Sequence, residues 1–422
     1  MKKIKRALIS VSDKDNLKFL LKNLNKYQIK LISSGGTYKE IKKMGFSCEE
    51  VSKYTSSPEI LSGRVKTLHP KIHAGILSKR KLKAHKNDLK KNNYNEIDLV
   101  IVNFYPFEKT LKQSKNHEKI LENIDIGGPT LVRAAAKNYN YVTIVTSISQ
   151  YEELIKNLNE NKGATSLEFR KKAALEAFGE TAYYESLIFN YFKDISPKED
   201  SKKIILGLNK FEKLRYGENP HQNGAIYTTS KNLGLEKLNG KQLSYNNYAD
   251  IFSALQISKS FPNNKGTVIV KHGNPCGASI HKNNNESFSM AHKCDPTSSF
   301  GGIVSCNFKI NRSLAIKLNK LFFEVIIGND FEKDALSILK TKKNVRIIKS
   351  KNYEIFSKNN LISNMHFALA QTPDDKKFTI SDFKIVSKAR PSRKTFENLI
   401  FAFNVCRFVK SNAIVLTNNN ST

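Results

Sequence analysis

The 422-residue chain has no stretch approaching the ~20 consecutive apolar residues of a membrane helix, so no membrane role is expected. It also has no C-x-x-C pair. Its five cysteines, Cys48, Cys276, Cys294, Cys306 and Cys406, lie far apart, which excludes a disulfide framework and fits a reduced, cytoplasmic protein. Acidic residues are scarce: 38 Asp+Glu stand against 70 Lys+Arg, for a net charge of +32. Such an excess invites a nucleic-acid reading. Yet the basic residues are spread along the chain, runs such as Lys79-Arg80-Lys81-Leu82-Lys83 are short and fall in expected loops, and no zinc-finger or RNP signature occurs. No nucleic-acid partner is expected, although a basic protein still favours anionic substrates, phosphates included. There is no internal repeat and no long low-complexity tract. The basic start, Met1-Lys2-Lys3-Ile4-Lys5-Arg6, precedes an apolar run of only residues 7–11, too short for a signal peptide.

What is present is an ordinary globular composition, 39% hydrophobic and 26% charged, over a length that suits two or three domains. The first half alternates strand-like and helix-like segments. Residues 4–11, 29–33, 97–104 and 141–146 read as strands. Residues 14–24, the stretch through Met44, 149–158 and 166–192 read as helices. This alternation predicts an α/β fold with a parallel sheet covered by helices. Residues 193–203, with Pro197 and mixed charges, have linker composition, so the expected domains are 1–195 and 204–422. The second half holds strand-like runs at 267–270, 303–305 and 413–416. A polar tail, Asn418-Asn419-Asn420-Ser421-Thr422, is expected to fray.

Three segments of the first half suit a phosphate. Ser34-Gly35-Gly36-Thr37 lies between a strand and a helix, where glycines admit a ligand to the backbone and a helix start points N–H groups at an anion. Alone, a plain turn explains it as well. Ser12-Asp13-Lys14 ends the first strand, where open α/β sheets place ligands. Arg64-Val65-Lys66-Thr67-Leu68-His69-Pro70 adds two cations and polar side chains, or is a solvated basic loop. Asp125 before Gly127-Gly128-Pro129, Lys137 at a helix end and Tyr105 after a strand each have a bland reading: a cap, a solvated lysine, a strand-end ring. The functional reading needs them around one pocket.

In the second half, Lys271-His272 lies at a strand end before Gly273-Asn274-Pro275-Cys276-Gly277, expected as a turn. A lysine beside a histidine favours the neutral imidazole that a general base requires. Asp295–Gly302 and Arg215–Gln222 are two further polar clusters. His69 and His73 are four apart, but Pro70 intervenes and no third ligand is evident. There is no H-x-E with P-C-x-x-C either, so no metal is expected.

Taken in order, Ser12-Asp13-Lys14, SGGT at 34–37, RVKTLHPKIHAG at 64–75, NFYPF at 103–107, DIGGPTLVRAAAKN at 125–138, LRYGENPHQ at 214–222, KHGNPCG at 271–277 and DPTSSFGG at 295–302 closely resemble one family. It is the bifunctional AICAR formyltransferase/IMP cyclohydrolase of de novo purine synthesis, and the resemblance covers nearly the whole chain. It implies a methylglyoxal-synthase-like cyclohydrolase domain followed by a cytidine-deaminase-like formyltransferase domain without zinc. It also implies a homodimer, 10-formyltetrahydrofolate as co-substrate, and AICAR, formyl-AICAR and IMP as nucleotides. By motif, Ser12, Lys14, Ser34, Gly35, Gly36, Thr37, Arg64 and Thr67 would hold the nucleotide of the first site, and Lys66, Tyr105, Asp125 and Lys137 would surround the reacting groups. Arg215, Tyr216, Gly301, Glu324 and Asn412 would contact AICAR in the second, where Lys271 and His272 match the catalytic pair.

The resemblance also implies a departure. The family continues past Lys410-Ser411-Asn412-Ala413 to a G-Q-x-S-R motif and an S-D-A-F-F-P-F segment, neither of which is in this sequence. The expectation is an incomplete formyltransferase site beside complete cyclohydrolase motifs. The alternative reading is therefore a chain active only in ring closure. A nucleic-acid-binding protein without turnover is the rival from another class.

Overall fold

Short apolar runs broken by Asn, Gly and Pro give the first half five strands: Arg6–Val11 (β1), Lys30–Ser33 (β2), Glu49–Glu50 (β3), Leu99–Asn103 (β4) and Thr143–Val145 (β5). They form one sheet in the order β3-β2-β1-β4-β5, every neighbour parallel. Each strand side feeds a different core. Val100 and Val102 pack in one cluster with Leu8 and Ile32, whereas Leu99 and Ile101 pack in the other with Ala7, Ile9 and Val11. Helices cover both faces, which is why these strands read as continuous rather than alternating hydrophobics. The structure, a computed structural model, describes residues 2–196, 201–229, 232–353, 360–363 and 366–422. Its two compact units are Met1–Gly207 and Leu208–Thr422. The helix Leu167–Ile195 runs into the expected linker, and linker residues 197–200 lie outside the described residues.

The second unit is built on Glu236–Asn239 (β8), Gly266–Lys271 (β9), Asn274–Ile280 (β10), Ile303–Ile310 (β11), Val325–Phe331 (β12) and Arg346–Lys349 (β13), after an antiparallel pair Asn209–Lys213 (β6) and Ala225–Thr228 (β7). The mixed sheet has the order β10-β9-β11-β12-β13-β8. β11, β12 and β13 are parallel, and β10, β9 and β8 run against their neighbours. A second antiparallel pair, Asn360–Ser363 and Ala368–Gln371, follows.

Several expectations change. The turn expected over 273–277 is only His272-Gly273, and Asn274 already pairs with Lys271. β10 is an edge strand, so Pro275 is tolerated there at a local register shift. The expected strand at 413–416 does not form, and Ile414 and Leu416 are exposed. The tail, expected to fray, instead pairs with the open edge of β10. Ile280 N–H donates to Asn420 O (3.0 Å) and Thr422 N–H to Ala278 O (3.0 Å). Unpaired strand edges recruit whatever backbone is near. The helix that ends at Lys137 begins at Gly127, so Pro129 stands third in it.

Arg80 departs most from its expected surface loop. It is buried, donates to Ser78 O (2.6 Å) and Ile97 O (2.7 Å), and lies 3.7 Å from Glu96 and 4.0 Å from Asp98. Asp98 in turn accepts the Lys5 and Arg6 N–H groups (2.9 and 3.3 Å), pinning the amino ends of β1 and β4. Removing the guanidinium takes the donor from Ile97 O and one of two nearby cations from Glu96 and Asp98, leaving only Lys2 beside them. Arg80→Ala should destabilise the first unit by about 3–5 kcal/mol in chemical denaturation, whereas a loss under about 1 kcal/mol would show the cluster to be solvated.

Candidate active site

All five strands of the first unit end on the same side, and the chain's crossovers part between β1 and β4, where such sheets form a ligand crevice. Asn103, the last residue of β4, closes that point. Its Oδ1 accepts the Ser12 and Asp13 N–H groups (2.6 and 2.9 Å) and its Nδ2 donates to Asp13 O (2.9 Å). Lys14 folds back so that Nζ donates to Ser12 O (3.3 Å). After β2, Ser34 makes no side-chain cap for the helix Gly35–Lys43, so the helix start at Gly35 and Gly36 is left open on this edge. Thr37 is different: its hydroxyl donates to Val11 O (2.9 Å) and accepts Val11 N–H (3.1 Å), tying the helix to β1. Any ligand contact by Thr37 falls to its backbone.

Two more segments reach the same edge. A small hairpin closed by the Ile60–Val65 bridge carries Arg64, Lys66 and Thr67. Lys66 Nζ lies 3.2 Å from where a Gly35 side chain would begin and 3.1 Å from the same point on Gly63, so both glycines make room for the ammonium. Thr67 Oγ1 lies 2.8 Å from the corresponding point on Gly127, the first residue of the helix Gly127–Lys137. Asp125, just before that helix, accepts the Gly128 N–H (2.8 Å), and its own N–H donates to the Tyr184 hydroxyl (2.7 Å). Burial raises the Asp125 carboxyl above the usual carboxylate range, against hydrogen bonds from Gly128 and the Tyr105 backbone and the pull of Lys66. Burial, then Asp125 and Glu59, raise the Tyr105 phenol. Lys66, Thr67, Tyr105 and Asp125 thus converge with Gly35. Arg64 lies outward, exposed and paired with Glu122. Lys137 is exposed at the other end of its helix, about 15 Å along the axis from Gly127 at the α-helical rise, so one chain does not bring it to the cluster.

The second unit gathers its residues at the amino ends of β11–β13. Lys271 ends β9 and donates from Nζ to Phe300 O (2.9 Å). His272 and Gly273 form the two-residue turn, with φ of 54° and 75°. Asp250, on the helix Tyr245–Ser260, holds that turn by accepting both of its N–H groups (3.2 and 2.7 Å). Gly301, at φ 74°, donates its N–H to Phe322 O (2.9 Å), and Glu324 precedes β12. Glu324 lies 3.6 Å from Arg346 and accepts from Asn247 Nδ2 (2.9 Å). The Arg215 guanidinium stands 5.5 Å over the Tyr216 ring, and both act on Arg346, whose pKa is lowered by burial first and by Arg215. Asn412 is exposed in the loop after the helix Arg393–Cys406. Asn103, Asp250 and Arg346 were missed in sequence. Asn103 alone had a local signal, at the head of NFYPF. Among the described residues no three His, Cys, Asp or Glu side chains group as a metal site.

Two α/β units, one with an anion-suited edge around Lys66 and Asp125 and one with a Lys-His pair on a clamped turn, define a two-site enzyme. A family model for the AICARFT/IMPCHase bienzyme matches residues 135–422, and one for the MGS-like domain matches 16–130. The bifunctional purine biosynthesis protein PurH of Caldicellulosiruptor saccharolyticus is 41% identical over 427 residues, covering 99% of this chain and 83% of that protein. Proteins of the same name from Thermoanaerobacter sp. and Nostoc sp. are 42% and 40% identical, each over 99% of this chain and over 83% and 82% of their own lengths. A solved structure titled "Crystal structure of ForH" is 28% identical over 45% of this chain and 99% of its own, with a TM-score of 0.41. This chain belongs to the AICARFT/IMPCHase bienzyme family. It is a bifunctional enzyme of purine biosynthesis, an AICAR formyltransferase and an IMP cyclohydrolase.

The raised Asp125 carboxyl has a cost that depends on pH. A carboxyl whose folded pKa lies above its unfolded value contributes stability at low pH and loses it as pH rises through the folded pKa. Asp125→Asn keeps an acceptor for Gly128 but cannot ionise. It should melt above the parent at pH 8, and the gap should close towards pH 4. A gap independent of pH would contradict this placement of the carboxyl.

Proposed function

We propose that the first unit closes the ring and the second transfers the formyl group, with 10-formyltetrahydrofolate as co-substrate. The convergence of Lys66, Thr67, Tyr105 and Asp125 with the open start of the helix Gly35–Lys43 carries the first half of this reading. The phosphate of formyl-AICAR lies against Ser12, Lys14, Ser34 and the backbone of Gly35, Gly36 and Thr37, with Arg64 and Thr67 beside it. A helix start and basic side chains together suit that dianion.

In ring closure, the carboxamide nitrogen attacks the formyl carbon and gives up one proton, the formamide nitrogen gives up a second as its C=N bond forms, and the former formyl oxygen leaves as water. Both partners sit in one molecule, so holding a reactive conformer supplies much of the acceleration. Asp125 and Tyr105 orient the carboxamide, and Lys66 stabilises charge on the oxygen. No metal is required for this step, since its protons move between substrate atoms and side chains. In formyl transfer, the weakly nucleophilic amine of AICAR attacks the formyl carbon of the folate. His272 takes the amine proton as the bond forms, a contribution of about 10²–10⁴-fold, and the tetrahedral intermediate then collapses by breaking the bond from the formyl carbon to the folate nitrogen, so that tetrahydrofolate leaves with a proton on that nitrogen. Lys271 stabilises the developing oxyanion, while Arg215, Tyr216, Gly301, Glu324 and Asn412 hold the nucleotide. Five free cysteines support a reducing, cytoplasmic setting, and no helix of the described residues is long and apolar enough to cross a membrane.

Lys137 reaches such a cluster only from a second copy, and the proposed homodimer supplies one. Lys66→Ala should slow conversion of formyl-AICAR to IMP at least about tenfold without unfolding the chain. Ring closure at the parent rate would remove Lys66 from the mechanism. His272→Ala should cut formyl transfer and spare ring closure, whereas equal loss of both would point to a folding defect. If Lys137 acts across the dimer, mixing and re-associating inactive Lys66→Ala and Lys137→Ala chains should restore about a quarter of the ring-closing activity, because half the dimers are then mixed and each has one intact site. No recovery would place Lys137 outside the shared site.

A further inference from the structure

We propose that Glu59 is a positioning residue for ring closure, holding the Lys66 ammonium at the carboxyl edge of the first sheet. The proposal rests on the assignment of Lys66 above.

The local backbone pairs the two residues. Ile60 and Val65 exchange both backbone hydrogen bonds (Ile60 N–H to Val65 O, 3.3 Å; Val65 N–H to Ile60 O, 3.4 Å) around a left-handed turn with φ of 53°, 55° and 87° at Leu61, Ser62 and Gly63. One step outward from that bridge, Glu59 faces Lys66, as cross-strand neighbours do. Glu59 Oε2 lies 3.8 Å from Lys66 Nζ, and the two side chains are 30% and 28% exposed, half-shielded from water. The turn that brings them together is built from residues that seldom adopt positive φ, with Gly63 the exception. A closed and strained hairpin with an ion pair at its base is a defined mount for a lysine.

The ammonium needs such a mount. Gly35 and Gly63, both beside it, offer no side chain to hold it. Gly35 begins the helix Gly35–Lys43, whose amino end carries partial positive charge and repels a cation. Two carboxyl groups act on the flexible lysine stem, Glu59 as its ion-pair partner and the buried Asp125 from further off. Glu59 offsets that repulsion. Its Oε2 also lies 3.5 Å from where a Gly63 side chain would begin, so the same glycine admits both members of the pair. Glu59 reaches further into the cluster as well, since its charge helps to raise the Tyr105 phenol after burial and Asp125. It acts through Lys66 and Tyr105 and has no assigned contact with substrate.

The test uses the full chain with formyl-AICAR as substrate. Glu59→Gln should lower kcat for ring closure about fivefold or more while KM stays within about threefold, because a misplaced Lys66 is missed mainly in the transition state. Glu59→Asp keeps the charge on a shorter arm and should recover part of the loss. The double variant Lys66→Ala/Glu59→Gln should be no slower than Lys66→Ala alone, since Glu59 has nothing left to position. Losses that multiply in the double variant, or parent kcat in both Glu59 variants, overturn the proposal. A slow Lys66→Ala beside an unimpaired Glu59→Gln defeats Glu59 alone. An unimpaired Lys66→Ala defeats the assignment of Lys66 itself. Should Glu59→Gln fail to fold, Glu59→Asp decides: a parent rate in that variant, with Lys66→Ala slow, also overturns the proposal.

Discussion

Every strand of the first sheet runs the same way, and the rest of the ring-closing site depends on that constraint. Parallel strands need crossovers, and the crossovers here bring each following loop or helix start to one edge. The edge is therefore lined mainly by helix starts and loops, joined by the one small hairpin closed at Ile60 and Val65. Helix starts and loops are the places where backbone N–H groups lack partners and where glycine permits close approach. Asn103 stitches the loop after β1 to the end of β4, so that the crevice has a fixed floor. The opposite edge is pinned by Arg80, Glu96 and Asp98, an arrangement that resists fraying and takes no part in the chemistry.

The second unit reaches a similar end by another route. Its sheet is mixed, so a tight turn rather than a crossover follows β9, and the turn itself carries His272. A non-glycine residue at φ 54° is unfavourable unless something holds it, and the Asp250 carboxylate does so by accepting two successive N–H groups. The polar residues then lie along the amino ends of β11–β13, the reverse of the first unit.

The sequence showed what is local. β1, β2, β4 and β5 were legible because buried parallel strands are nearly continuous apolar runs, and Ser34–Thr37 and Asp125–Gly128 were legible because helix starts use characteristic residues. Contacts between distant segments were not. Asp250 lies 22 residues from His272, and nothing local marks it as the turn's clamp. Arg80 looked like one more surface cation, since only the fold brings Glu96 and Asp98 to it. β10 was hidden by Pro275 and Gly277, which an edge strand tolerates. The apolar letters at 413–416 suggested a strand, but a strand needs a neighbour, and the polar residues after them found one instead. Lys137 lies at the far end of the helix that starts at Gly127, a distance that motif order does not carry.

The central claim is that the nucleotide of the ring-closing reaction sits on the carboxyl edge of the first sheet. Backbone amide hydrogen exchange of the whole chain, with and without saturating IMP, addresses it segment by segment. The expected result is new protection confined in the first unit to residues 12–14, 34–37, 64–67 and 125–128. Protection of the first unit elsewhere, with those four segments unchanged, would contradict the account.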